Sequence, residues 1–138
     1  MSVQETFVSL LHQNNTRLTQ HAQDIFDTLK SQKRPLSAVE IYEMLSDNGS
    51  KIDLSTVHRT MERFCGIQVV QPVYRDKATL YELSHHFVPH HHHFTCTQCE
   101  TIYEIDTCVM DVLESSVGDL GEVTHHSVEL FGICNRCV

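Results

Sequence analysis

Apolar side chains recur at helical spacing through the first half of the chain. Val3, Phe7, Leu10 and Leu11 share one face of a helix predicted over residues 3–12, and the polar run Gln13-Asn14-Asn15 ends it. Thr19 is placed to cap a second helix that turns Ala22, Ile25, Phe26 and Leu29 to one side. Pro35 marks the next loop. Ser37-Ala38-Val39-Glu40 has the form of a capping box, in which the serine side chain bonds the amide three residues on and the glutamate reaches back. It opens a third helix through Ile41, Met44 and Leu45 that stops near Asn48-Gly49. A fourth helix is predicted from about Leu54 to Phe64, with Val57, Met61 and Phe64 inward and its end by Gly66.

The period then changes. Residues 67–74 and 79–83 are β-rich and flank a polar turn, Arg75-Asp76-Lys77-Ala78, which predicts a hairpin. Short helices followed by a hairpin form a winged-helix layout, in which the helix before the hairpin enters the major groove of DNA. Its outward positions here are Ser55, Thr56, His58, Arg59 and Arg63. A hinge is predicted at about 84–89. After it come strands over 91–96 and 101–105, a helix from about Thr107 to Val117 and a long strand over 122–132. The fold class expected is α+β: a winged-helix domain over 1–84 and a small α/β domain over 85–138. The second piece is small for a core of its own, so a metal staple, dimerisation or both are expected to supplement it.

Charge and composition separate the two halves further. Up to Ser84 there are nine Lys/Arg against ten Asp/Glu, and from His85 onward one against eight, which accounts for the net charge of −8. Nucleic-acid contact therefore belongs to the first half, although a pI of about 5.7 does not favour it for the chain as a whole. The acidic half also holds eight of the eleven histidines, a composition suited to cations. No stretch approaches the ~18 apolar residues of a membrane span, and the first residues do not read as a secretory signal. The expected location is the cytoplasm, without membrane contact. In a reducing compartment six cysteines argue for metal or redox chemistry over a disulfide framework.

Cys96-Thr-Gln-Cys99 and Cys134-Asn-Arg-Cys137 are two chelating pairs. Four thiolates at about 2.3 Å suit tetrahedral Zn²⁺, and a site closed by four protein ligands is structural. Redox dithiols are the competing reading. The run His90-His91-His92-His93, if extended, turns His91 and His93 to one side and His90 and His92 to the other, so one strand can serve two sites. Oxygen ligands available to one site include Glu82 and Glu104; the other has Asp111, with His126. Such mixed sets suit Zn²⁺, Fe²⁺ or Mn²⁺. Cys65 reads as a small buried residue. Cys108, placed at a helix start where the dipole lowers a thiol pKa, reads as a bystander, with soft ligand or redox thiol as alternatives.

Taken together, Arg17-Leu-Thr19, Leu36–Tyr42, Ser55-Thr-Val-His-Arg-Thr60, Tyr81-Glu-Leu83, His90 through Cys96-x-x-Cys99, and His126 through Cys134-x-x-Cys137 resemble the Fur superfamily of bacterial metal-dependent transcriptional regulators over nearly the whole chain. The resemblance implies a winged-helix DNA-binding domain and a dimerisation domain. The homodimer would bind palindromic double-stranded operator DNA when regulatory metal is bound, usually as a repressor. It also implies structural zinc on Cys96, Cys99, Cys134 and Cys137; a regulatory divalent metal on Glu82, His91, His93 and Glu104; a second metal on His90, His92, Asp111 and His126; and DNA contacts that include Arg17 and Thr19.

Three positions depart from the family pattern. Arg34-Pro35 stands where many iron-type members have a ligating histidine, so His85 or His86 is the expected substitute. His58 replaces the usual tyrosine of the recognition helix, and Ala22 replaces a basic residue, which removes an expected phosphate contact. The histidine run and the missing loop histidine favour zinc as the sensed metal; the carboxylates favour iron or manganese. Competing functions are an iron-dependent peroxide sensor, a metal-binding enzyme, and a metal-storage module without DNA binding.

Overall fold

The structure, a computed structural model, describes residues 1–138 with the exception of the Asp111 side chain. The chain folds as two units, Met1–Pro89 and His90–Val138. The first contains helices α1 (Val3–Gln13), α2 (Gln20–Ser31), α3 (Ala38–Asp47) and α4 (Leu54–Gly66), and strands β1 (Leu36–Ser37), β2 (Val70–Tyr74) and β3 (Thr79–Leu83). The second contains strands β4 (His92–Cys96), β5 (Ile102–Ile105) and β6 (Glu129–Gly132) with helix α5 (Met110–Val117). No helix among the described residues is long and apolar enough to cross a membrane.

Helix starts in the first unit are set by side chains that accept from otherwise unpaired amides. Ser2 caps α1, Thr19 caps α2, Ser37 and Glu40 form both halves of the capping box on α3, and Asp53 caps α4. The apolar faces of these helices then meet. The rings of Phe7 and Phe26 stack at 4.0 Å between centroids, and Phe64 stands edge-on to Phe7 at 5.7 Å. Ile25, Ile41, Val57 and Met61 fill the same core. The sheet order is β1-β3-β2, with the hairpin in register from Val70 opposite Leu83 to Tyr74 opposite Thr79. Pro72 lies in β2, an edge strand, where its lack of an N–H costs no interior ladder bond.

Two sequence expectations change here. Leu36-Ser37 pairs with β3 as a two-residue strand, Leu36 opposite Tyr81. The predicted hinge is partly committed to the first unit, since Phe87 packs edge-on to Phe26 at 5.2 Å and Ser84 Oγ donates to the Gln68 carbonyl at 2.6 Å. Ala22 is buried and its amide is bonded to Thr19 Oγ1, so that position faces the core.

The second unit is built around β4, which pairs antiparallel with β5 and parallel with β6. The strand predicted over 122–132 contracts to Glu129–Gly132, because β6 has a partner only between His93 and Cys96. Helix α5 begins at Met110, not Thr107, and has no side-chain cap. Val112, Leu113, Leu130 and Phe131 are about half exposed or more. Among the described residues this unit buries little apolar surface beyond Cys96 and Cys134.

Candidate metal centres and nucleic-acid interface

The register of β4 with β6 brings the two cysteine pairs together. Gly132 stands opposite Cys96, two residues before Cys134, and the Thr97 amide donates to the Gly132 carbonyl at 2.7 Å. A side chain at Gly132 would meet the Phe94 ring at 3.2 Å, so the close approach of these strands favours glycine. Each pair folds into a tight turn: the Glu100 amide donates to the Cys96 carbonyl at 2.9 Å, and the Cys137 amide to the Cys134 carbonyl at 2.9 Å. Glu100 takes a positive φ of 63° to leave the first turn.

The Sγ atoms of Cys96, Cys99, Cys134 and Cys137 all lie within 4.8 Å of one another, with Cys99 and Cys134 at 3.8 Å. Tetrahedral zinc bound to sulfur at about 2.3 Å separates two sulfurs by about 3.8 Å. The donor set therefore fits the ion. Amides of Cys134 and Cys99 donate to Cys96 Sγ at 3.3 and 3.5 Å, and these bonds lower the Cys96 thiol from its ordinary range to about 6. Burial raises the Cys134 thiol, but the Arg136 amide and the Cys137 thiol outweigh it and the net shift is downward. Cys137, hydrogen-bonded to Cys134 and then Cys99, is pushed up to about 12. The cluster thus favours thiolate at its centre and retains a proton at its rim.

A second donor group forms at the other end of β4. His90 Nε2 lies 3.2 Å from His92 Nε2 and 3.1 Å from His126 Nε2. Cys108 Sγ lies 3.2 Å from His92 Nε2 and 3.6 Å from His126 Nε2. All four donor atoms fall within 4.8 Å of one another. His126 comes from the irregular segment before β6 and Cys108 from the loop before α5, so neither occupies the element predicted for it. Burial, then the neighbouring His90 and His126, lowers the His92 pKa, which favours the neutral ring that ligates metals. The Asp111 side chain, expected as a ligand here, lies outside the described residues.

Cys108 is the functional candidate that sequence reasoning set aside. It lies two residues before α5, and its partners are histidines 16 and 18 residues away. Cys65 packs against the first unit's core, and burial raises its thiol pKa.

His91 and His93 form the other histidine pair, with ring centroids 4.9 Å apart. Glu104 stands opposite His93 on β5. Its exposed carboxylate does not complete a set with His91 and His93 in which every donor atom lies within 4.8 Å. Glu82 belongs to the first unit; it is buried on β3 and accepts from Gln71 Nε2 at 2.8 Å. His85 and His86 join no metal-ligand group among the described residues, and His86 Nε2 lies 3.4 Å from Gln68 Oε1. Arg34 has a structural task instead of a ligand's: its guanidinium pairs with Glu40 at 2.8 Å and secures the capping box. Burial raises the Glu40 carboxyl, but Arg34 and the Ser37 amide together outweigh it and the net pKa is lowered.

On the first unit, α4 turns Ser55, His58, Arg59 and Arg63 outward, with Thr56 half-buried. Arg59 Nη2 donates to Thr56 Oγ1 at 3.1 Å, which restricts the guanidinium over the first turns of the helix. Arg17 and Thr19 are exposed, and Thr19 is also the cap of α2. These exposed positions present cations, hydroxyls and two helix N-termini, a chemistry that matches phosphate and base edges.

Comparison with known proteins gives a consistent match. The model of the ferric uptake regulator family matches residues 13–131. Peroxide-responsive repressor PerR of Staphylococcus saprophyticus is 29% identical over 136 residues, covering 96% of this chain and 90% of that protein. The ferric uptake regulator Fur of Vibrio cholerae superposes with a TM-score of 0.75 at 27% identity, covering 90% of this chain and 96% of that one. The Fur of Helicobacter pylori, described as having three functional metal binding sites, superposes with a TM-score of 0.85 at 17% identity, covering 99% and 94%.

Proposed function

Since the chain belongs to the ferric uptake regulator family, whose members are metal-responsive transcription regulators and not enzymes, we propose that it is a repressor that binds palindromic operator DNA as a homodimer when a regulatory divalent metal is bound. The observation that carries this reading is the concentration of donors in one short segment, β4 and the two residues before it. Residues His90 to Cys96 supply ligands to the four-cysteine group and to the histidine groups on both faces. The metal-binding enzyme reading is set aside with the family.

The four cysteines hold the structural zinc, and His91, His93 and Glu104, with Glu82 of the first unit, are the proposed regulatory ligands. When bound, the regulatory cation supplies a cross-link between donors carried by two separately folded units. The chain's own part is to present them. β4 and β5 hold His93 and Glu104 on one face, and β3 holds Glu82 on the strand that also forms the wing. Recognition helices of a dimer must stand about one turn of DNA apart, roughly 34 Å. A cross-link that narrows the range of unit orientations selects that spacing. The exposed apolar side chains Val112, Leu113, Leu130 and Phe131 supply the dimer surface.

Zinc is the favoured regulatory metal, because Arg34 and Pro35 leave that loop without a ligating histidine. The test is operator binding titrated with zinc, iron and manganese against a chelated control. Affinity that rises with one metal supports the reading. Affinity indifferent to all three, or metal binding with no operator binding at all, sinks it. A second reading, iron-dependent peroxide sensing, is favoured by the PerR relatives. It predicts that iron-loaded protein treated anaerobically with peroxide loses operator binding and gains oxygen on His91 or His93, whereas zinc-loaded protein does neither.

A further inference from the structure

We propose that Cys108 is the fourth ligand of the His90, His92 and His126 site, which makes it a closed three-nitrogen, one-sulfur centre that selects zinc over iron and manganese. This rests on the reading that those three histidines hold a metal, and it assigns that site's remaining ligand and its selectivity.

The geometry supports the assignment. Tetrahedral zinc with nitrogen at about 2.05 Å and sulfur at about 2.3 Å separates two nitrogens by about 3.3 Å and a nitrogen from a sulfur by about 3.6 Å. The corresponding separations here are 3.2 and 3.1 Å between nitrogens, and 3.2 and 3.6 Å between nitrogen and sulfur. Three imidazole Nε2 atoms converge on one point, and a ring nitrogen cannot donate to two neighbours at once. One cation satisfies every lone pair in the group.

The donors arrive from separate parts of the second unit: His90 two residues before β4, His92 at its start, Cys108 before α5, and His126 before β6. Cys108 meets histidines 16 and 18 residues away in sequence, which local loop geometry alone does not provide. A thiolate in place of a carboxylate shifts preference from iron and manganese, which take oxygen ligands and higher coordination numbers, toward tetrahedral zinc. Histidine Nε2 donors are acceptable to all three metals, so the sulfur decides.

The experiment is a Co²⁺ titration of the full chain with zinc already in the four-cysteine site. Cobalt bound by Cys108 gives a thiolate-to-metal charge-transfer band of about a quarter the intensity per ion of a four-cysteine site. Cobalt on His91 and His93 carries no thiolate and gives none. Cys108→Ser is expected to abolish the band, to lower zinc affinity at this site about 100-fold, and to leave one zinc in the four-cysteine site, which shows that the unit still folds. Cys65→Ser should leave the band intact. A cobalt equivalent that His126→Ala removes but that shows no thiolate band would overturn the assignment of Cys108 alone. If His126→Ala removes no cobalt equivalent, the histidine site itself fails.

Discussion

Cys108 Sγ lies 3.2 Å from His92 Nε2, although 16 residues separate them. Between them the chain completes β4, turns through Cys96-Thr-Gln-Cys99 and returns along β5. The contact depends on that return, and the return depends on the turn the first cysteine pair makes. Folding of the cysteine cluster and assembly of the histidine cluster are therefore linked through backbone pairing.

Replacing Cys96 by alanine should separate the two units in stability. Cys96 is fully buried and accepts two amide bonds, so its loss removes a ligand and two hydrogen-bond partners together. Structural zinc contributes about 10–16 kcal/mol of apparent binding free energy in small zinc domains. The variant should contain no structural zinc by mass spectrometry and should be cut rapidly by protease beyond residue 90, with the first unit left as a resistant fragment. Zinc content unchanged from that of the unsubstituted chain would refute the ligand assignment.

Arg59→Ala should weaken operator binding by about 1–3 kcal/mol, the range for a well-placed base contact. Metal content should not change, because Arg59 is on α4, away from the donor groups in sequence, and its guanidinium bonds Thr56. Fluorescence anisotropy with labelled operator, paired with metal analysis of the same sample, makes the measurement. Undiminished affinity would remove α4 from the interface.

Ser37→Ala should destabilise the first unit by about 1 kcal/mol, the usual cost of an N-cap. The serine is one half of the box that starts α3, and Glu40, the other half, is also held by Arg34. Urea denaturation followed by far-ultraviolet circular dichroism would show a lower midpoint at unchanged slope. Zinc content would stay constant, which distinguishes this variant from Cys96→Ala.

Acid and base should act on the metal-free cysteine cluster in opposite senses. The Cys96 thiol is lowered from 9.0 to about 6, so its contribution to folding is complete above the ordinary value and is lost as pH falls through about 6. Cys137 is raised from 9.0 to about 12, so its contribution is complete below the ordinary value and is lost as pH rises through about 12. Zinc must displace the proton held by Cys137, so apparent zinc affinity should rise with pH across the neutral range and fall more steeply below about 6, where Cys96 also takes a proton. Competition with a chromophoric chelator from pH 5.5 to 8 measures it; an affinity flat with pH would contradict the proton inventory.

The four helices of the first unit were legible because period and caps agree locally: Thr19, Ser37 and Asp53 each bond an amide three residues ahead. The cysteine pairs were legible because each is a local chelate. What failed to show in the sequence depends on distant partners. Leu36-Ser37 is a strand only because β3 passes beside it. Residues 122–128 carry strand-forming side chains but have no strand to pair with, so β6 is short. Cys108 resembles any loop cysteine until β5 carries it back to the histidines.

Strand β4 also restricts how this chain can vary by inheritance. Its side chains alternate with a period of two, and from His90 to Cys96 nearly every one has an assigned partner. Loss of a single codon between His93 and Cys96 would turn the histidines to the wrong faces or move the cysteine turn out of line with Gly132. No substitution elsewhere could restore both. This stretch therefore tolerates no change of length, whereas residues 121–124, outside any strand, can gain or lose a codon at little cost.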